Sequence, residues 1–246
     1  MTTTAILLII IIVFTTHLIG GIAAFGSALV SLPLILLINP DLNWCVFLLV
    51  TIGCVQSFQV LYYCRRSLDR KELSRILIFM MVGAVIGVTG IVYLSQNFLM
   101  GFLSLLIFST AGYALCKPEK RMLNIPKPMK IILLLLSGVA HGAFGCGGAG
   151  LTVYATAVFK DKEAFRATLS ATWSIFNFCL IPIFYMRTAG GDRHFPLIAA
   201  CIVIVVLVSF MAQKLSKRFN QERFFKFTSI LLIISGLVNT YNIFQS

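Results

Sequence analysis

Long apolar stretches alternate with short polar and basic loops along the whole chain. They run Ala5 to Ile38, Trp44 to Cys64, Ile76 to Leu94, Phe98 to Cys116, Met129 to Phe159, Thr168 to Met186, Phe195 to Ala212 and Phe224 to Phe244. Six have about the 20 residues that one helical membrane crossing needs, and the first and fifth are much longer. Both long stretches carry a glycine-rich interruption. The first runs Gly20, Gly21, Ile22, Ala23, Ala24, Phe25, Gly26, Ser27, Ala28 and on to Pro33; the second runs from Gly138 through Gly142, Gly145, Cys146, Gly147 and Gly148 to Gly150. The pattern predicts helices that stop, unwind and restart near Ser27 and near Gly148. The copies lie 121 residues apart in a chain of 246, and paired broken segments of this kind point to a transporter's binding site.

Composition agrees with this pattern. With 59% hydrophobic and 11% charged residues, the chain has too little polar surface to enclose a water-soluble core, so an all-α integral membrane protein is expected, multi-pass and in the cell (inner or cytoplasmic) membrane. No Lys or Arg precedes the first apolar run, and no removable signal peptide is expected. The net charge of +12 does not imply nucleic acid, because the basic residues sit in short loops where they set orientation and meet lipid headgroups. All seven cysteines fall within or at the ends of apolar stretches, which reads as buried thiols rather than disulfides or a zinc site.

The 20 basic residues decide between topologies. They form clusters at Arg65 to Arg75, Lys117 to Lys130, Lys160 to Arg166 and Lys214 to Lys226, with only Arg187 and Arg193 elsewhere. If all eight stretches crossed, the basic residues would split 12 to 8 between the two sides; if each long stretch enters and returns as a broken hairpin, the split is 18 to 2. The positive-inside rule selects the hairpins. Each half is then a broken, re-entrant helix followed by three crossings, and the odd number inverts the second half relative to the first. A polytopic bundle of two inverted repeats, residues 1–122 and 123–246, is expected. Faint similarity at the 121 offset pairs Gly21 with Gly142, Gly26 with Gly147, Ala28 with Ala149, Ser31 with Thr152, Thr51 with Thr172 and Gln56 with Asn177.

Unwound backbone is tolerated at membrane depth only where protein or a watery cavity satisfies it, so the two breaks should line one cavity. Restarting half-helices aim a partial positive charge there, which suits a small anion. The candidate binding residues are Gly26, Ser27, Gly147 and Gly148 through their amides, and Gln56 and Asn177 through side-chain amides. The alternatives are glycine-mediated helix packing, as expected for Gly83, Gly87 and Gly90, and interhelical hydrogen bonding by the amides. His17 and His141 are candidates for proton coupling, or neutral rings bonded to freed carbonyls. None of the eight acidic residues lies deep in a span, which argues against a cation cage; no metal or other cofactor is expected.

At Gly20 to Pro33 and Gly138 to Tyr154 the chain resembles the sulfite exporter TauE/SafE family, whose members carry a glycine-rich run near the start of each half. The first copy departs with Ala24, Ser27 and Ala28 in place of further glycines, and the second has Tyr154 opposite Pro33. The resemblance implies an exporter of small sulfur-containing anions such as sulfite, sulfoacetate or related sulfonates and carboxylates. The expected partners are that anion and the lipid bilayer, with no nucleic acid; a homo-oligomer is left open. The protein is not expected to be an enzyme. Two rivals remain at this stage: a sulfur relay using Cys146, a thiol inside the second run, and a passive anion channel.

Overall fold

The computed structural model describes residues 1–93, 125–189, 191 and 193–217, with the isolated positions 98, 101, 104, 105 and 108. The apolar stretches Phe98 to Cys116 and Phe224 to Phe244 lie outside the described residues, apart from those few positions. The described elements are all helical: α1 Thr3–Ala23, α2 Ser27–Leu36, α3 Leu42–Cys64, α4 Arg70–Tyr93, α5 Lys127–Phe144, α6 Gly148–Val158, α7 Lys162–Arg187 and α8 Phe195–Ser216. Six are long and apolar enough to cross a membrane, and α2 and α6 are too short. The breaks fall where the sequence places them, with α2 starting at Ser27 and α6 at Gly148.

Two helices begin well before their apolar runs. Asp69 Oδ1 accepts from Glu72 N–H at 3.0 Å, and Asp161 Oδ2 accepts from Ala164 N–H at 2.8 Å. These capping carboxylates let α4 and α7 start among polar residues.

Close contacts fix the direction of each helix. Helices α3 and α7 are antiparallel: Phe47 meets Tyr185, and Cys54 Sγ reaches Ser174 O at 3.9 Å. Helices α4 and α5 are parallel, since a Cβ on Gly138 would strike Met80 and one on Gly142 would strike Ala84. Helices α1 and α8 are parallel too: Gly21 abuts Ala212, and Gln56 bridges His17 O to Ser209 Oγ. The long arm of the first hairpin therefore packs on a helix of the second half, and the long arm of the second hairpin packs on a helix of the first half.

The described basic clusters gather at one end. Asp69 N–H donates to Thr168 Oγ1 at 3.3 Å, Tyr154 OH to Glu72 Oε2 at 2.6 Å, and Lys162 Nζ to Ser216 O at 2.8 Å. Arg187 and Arg193 lie at the far end, where Arg187 Nη2 donates to Val88 O and Trp44 Nε1 to Arg193 O. The second hairpin opens toward the basic end and the first toward the far end. Each long arm is nearly a full crossing rather than a half: the 21 residues of α1 span about 31 Å. In a background without the native cysteines, single cysteines at Lys160 and Lys214 are expected to react with an impermeant maleimide from the same side, and one at Arg193 from the opposite side. Labelling of Lys160 and Lys214 from different sides would contradict this arrangement.

The glycines of α4 and α5 form a close crossing. Gly83 and Gly87 lie against the backbone of Leu135 to Ala143, while Gly138 and Gly142 lie against Met80 and Ala84. Packing is thus the role of Gly83 and Gly87, as expected. Gly138 and Gly142 share it, being helical, and the second break begins only at Gly145.

Candidate functional site

The two breaks share a local geometry. After α1, Ala24 takes φ 64° and ψ 19° and its N–H donates to Gly20 O at 2.7 Å; after α5, Gly145 takes φ 65° and ψ 16° and its N–H donates to His141 O at 2.7 Å. Both pairs are separated by the 121 offset. The likeness continues into the half-helices, where Ser31 Oγ donates to Ser27 O at 2.7 Å and Thr152 Oγ1 to Gly148 O at 2.6 Å. It fails at the residue before each restart, with Gly26 at φ 90° and Gly147 at φ −71°. Ala24, a non-glycine in the left-handed region, is held there by the helix-ending bond and by Trp173 Nε1, which donates to Ala24 O at 3.1 Å.

The breaks meet. A Cβ on Gly148 would lie 3.8 Å from Gly26 N and 3.3 Å from Leu29 Cδ1. Between them is a cavity of about 50 Å³. One buried water needs roughly 10–15 Å³ measured this way, so the space suits a ligand of a few heavy atoms. Gly26, Ser27, Gly147, Gly148, Gln56 and Asn177 all line it, as do His141 and Cys146, and no Asp, Glu, Lys or Arg among the described residues does. His17 is not among the lining residues: it is buried in α1 with Nδ1 3.1 Å from Val13 O, the satisfied arrangement.

The donors differ in part from those the sequence suggests. The first-turn amides of a helix have no partner within it, and neither Gly26 nor Gly147 supplies a side-chain cap. Gly147 N–H is engaged with His141 Nδ1 at 3.2 Å, so Gly148, which lines the cavity, is the residue whose amide the second half-helix offers there. Gln56 Nε2 donates to His17 O at 2.7 Å, which makes the Gln56 amide an interhelical tie as well as a cavity wall. Thr51 and Thr172 bond within their own helices, to Phe47 O and Thr168 O.

His141 is the best-placed donor. Because Nδ1 accepts from Gly147 N–H, the proton of the neutral ring sits on Nε2. The ring is buried between Trp173, 5.0 Å away, and Phe176, 5.6 Å away. The Asn177 side chain is within reach of the ring, but its geometry is poor, and His141 Nε2 and Asn177 Oδ1 have no well-aligned partner among the described residues. His141 Nε2–H is a buried donor beside the cavity that an anion would satisfy, whereas Asn177 Oδ1 is an acceptor that only a donor such as this ring N–H can satisfy. Sequence reasoning missed Trp173, which orients both the Ala24 turn and the His141 ring; a tryptophan inside an apolar span carries no signal of that role. Cys146 Sγ donates to Phe144 O at 3.2 Å and is 2% exposed, a shielded thiol.

Among the described residues, most acidic side chains serve helix ends. Asp41, Asp69 and Asp161 accept N-terminal amides, and Glu72 is shared by Arg75 and Tyr154. Among the described residues no cluster of His, Cys, Asp or Glu could hold a metal ion.

Paired broken helices enclosing a small cavity, inside a bundle of crossing-length apolar helices, define a multi-pass membrane protein of the transporter class. The profile of the sulfite exporter TauE/SafE family matches residues 8–238, and the chain belongs to that family. The family is one of membrane transporters of sulfur anions. No curated protein and no solved structure matches the chain.

Proposed function

We propose that this chain is a secondary transporter that exports small sulfur-containing oxyanions, sulfite first among them, across the cell membrane. The observation that carries this reading is the meeting of two half-helix N-termini at one cavity with no charged lining residue among the described residues. Each N-terminus contributes roughly half a positive charge, so the pair balances about one negative charge without a Lys or Arg in the described cavity wall. The amides of Gly26, Ser27 and Gly148 and the Nε2–H of His141 hold the anion, with Asn177 beside it. The size of the cavity favours sulfite over larger sulfonates.

The crossed pairing of the hairpins, the equal turns at Ala24 and Gly145, and the matched bonds of Ser31 and Thr152 support two inverted repeats, with one rocking against the other. His141 offers a route for proton coupling. A proton added at Nδ1 would turn that atom into a donor, break its bond with Gly147 N–H and release this amide toward the anion. His17 has no such connection to the cavity.

In proteoliposomes, exchange of labelled sulfite should be competed by small oxyanions and not by cations; indifference to every oxyanion would overturn the reading. The sulfur-relay alternative is tested in the same vesicles. Cys146→Ser is expected to keep transport within about twofold of wild type, since Sγ makes one hydrogen bond that a hydroxyl can also make. Loss of activity in that variant would favour thiol chemistry.

A further inference from the structure

Arg166 lies in a cluster that reads from sequence as a loop charge, yet its side chain is 3% exposed, in the first turns of α7. Its Nη2 donates to Gln213 Oε1 at 2.7 Å and to Gly21 O at 3.3 Å, joining α7 and α8 to the long arm of the first hairpin. Glu163 meets Nη1 only at 3.5 Å and is half exposed, free to turn to solvent. Lys162, the other nearby cation, is engaged with Ser216 O.

Two donors remain unused. Arg166 Nε and Gln213 Nε2 are buried with no hydrogen-bond partner among the described residues. The orientation of the Gln213 amide follows from Oε1 accepting from the guanidinium, so Nε2 is the donor end. A cation and a neighbouring amide with unspent N–H groups, buried together, call for a hydrogen-bond acceptor, and the guanidinium charge favours an oxyanion among acceptors.

The position of the pair gives it a purpose. Arg166, Ser170, Trp173 and Asn177 follow one stripe of α7 at helical spacing, and the last three line the cavity. Arg166 is the next residue on that stripe toward the basic end. Ala24 and Val60 of the cavity wall belong to a small cluster with Cys64 and with Ala167, the residue after Arg166, whereas Leu29 and Leu49 of the wall belong to the larger apolar core that includes Phe144 and Phe184.

We propose that Arg166 and Gln213 form a second oxyanion site, a vestibule at the basic end through which the transported anion reaches the glycine-lined cavity. This rests on the reading of the chain as an anion transporter. The vestibule draws the anion in by charge, and the uncharged cavity beyond takes it over with oriented amides.

Equilibrium binding of radiolabelled sulfite to the purified full-length chain in detergent, under anaerobic conditions, tests the proposal. Wild type should bind two sulfite ions. Gly148→Leu should keep one, and Gln213→Glu should keep the other: the glutamate preserves the acceptor for Arg166 but replaces the donor with a negative charge. Its thermal midpoint should stay at or above that of wild type, which separates loss of a ligand from loss of the fold. Arg166→Lys, which keeps the charge and loses Nε–H, should weaken the vestibule site at least tenfold. A single site in wild type, abolished by Gly148→Leu and untouched by Gln213→Glu, would make Arg166 a structural tie and overturn the proposal while leaving the transporter reading in place. No sulfite binding at all would overturn both. If added phosphatidylglycerol lowered the stoichiometry from two to one, the pair would be a lipid phosphate site instead, and the proposal would fall.

Discussion

Gly148→Leu is expected to reduce sulfite exchange at least ~100-fold, equivalent to about 2.8 kcal/mol of lost binding at 1.4 kcal/mol per tenfold. The backbone itself tolerates a side chain here. A Cβ would approach only Leu29 Cδ1, at 3.3 Å, the far end of a flexible side chain, and Gly26 N at 3.8 Å. Gly148→Ala should therefore fold normally and keep part of the activity. A leucine extends into a cavity of about 50 Å³ and covers the amides at both breaks. Membrane insertion and the thermal midpoint should be nearly unchanged, because the leucine fills an existing cavity and displaces no backbone. Gly147 is a poorer choice for this experiment. Its Cβ would lie 2.5 Å from Ser137 O and 2.7 Å from His141 Cβ, so any loss of activity would mix folding with function.

The largest effect on stability is expected at the α4–α5 crossing. A Cβ on Gly142 would overlap the carbonyl of Ala84, with Ala84 C and Cα only 2.9 Å away; Gly138 stands in the same relation to Met80, and Gly83 and Gly87 repeat the arrangement from the other helix. Backbone cannot move aside as a side-chain tip can. In a bilayer, helices associate through close packing of this kind, since lipid gives apolar surfaces no reason to leave it. Gly142→Leu should force the helices apart and cost about 3 kcal/mol or more, at the upper end for overpacked cores. A thermal melt in detergent, or the yield of monodisperse protein, reads this directly. A Gly142→Leu variant as stable as wild type would show that the helices do not pack this closely.

The alternation of apolar stretches with charge clusters made most of the architecture legible. The boundaries of α3 and α8 follow their apolar runs closely, and the restarts at Ser27 and Gly148 follow the glycines. The grouping of basic loops at one end could be read because orientation depends on loop charge, a property of the sequence itself. What could not be read is which glycine does what. Gly138 and Gly142 belong to the same run as Gly147 and Gly148, and only the presence of α4 against the first pair separates packing from cavity.

The same limit applies to the polar residues. Gln56 and Asn177 were found by their equivalence, but that Gln56 spends its donor on His17 O depends on a neighbour 39 residues away. Gly147 was expected to offer its amide, and His141, six residues earlier, takes it. Arg166 looked like one more loop cation because its helix begins six residues before the apolar run, under the Asp161 cap. Its partners Gly21 and Gln213 are 145 and 47 residues distant.

The central claim is that two facing breaks form one saturable anion site that is reached from one side at a time. Counterflow in proteoliposomes tests it most directly: vesicles loaded with unlabelled sulfite should transiently accumulate external labelled sulfite above equilibrium, with an initial rate that saturates. The His141→Leu variant, which removes the Nε2–H donor, should need a higher sulfite concentration to saturate. Labelled sulfite that only leaks to equilibrium, at a rate linear in concentration and indifferent to internal sulfite, would contradict the account and identify a channel.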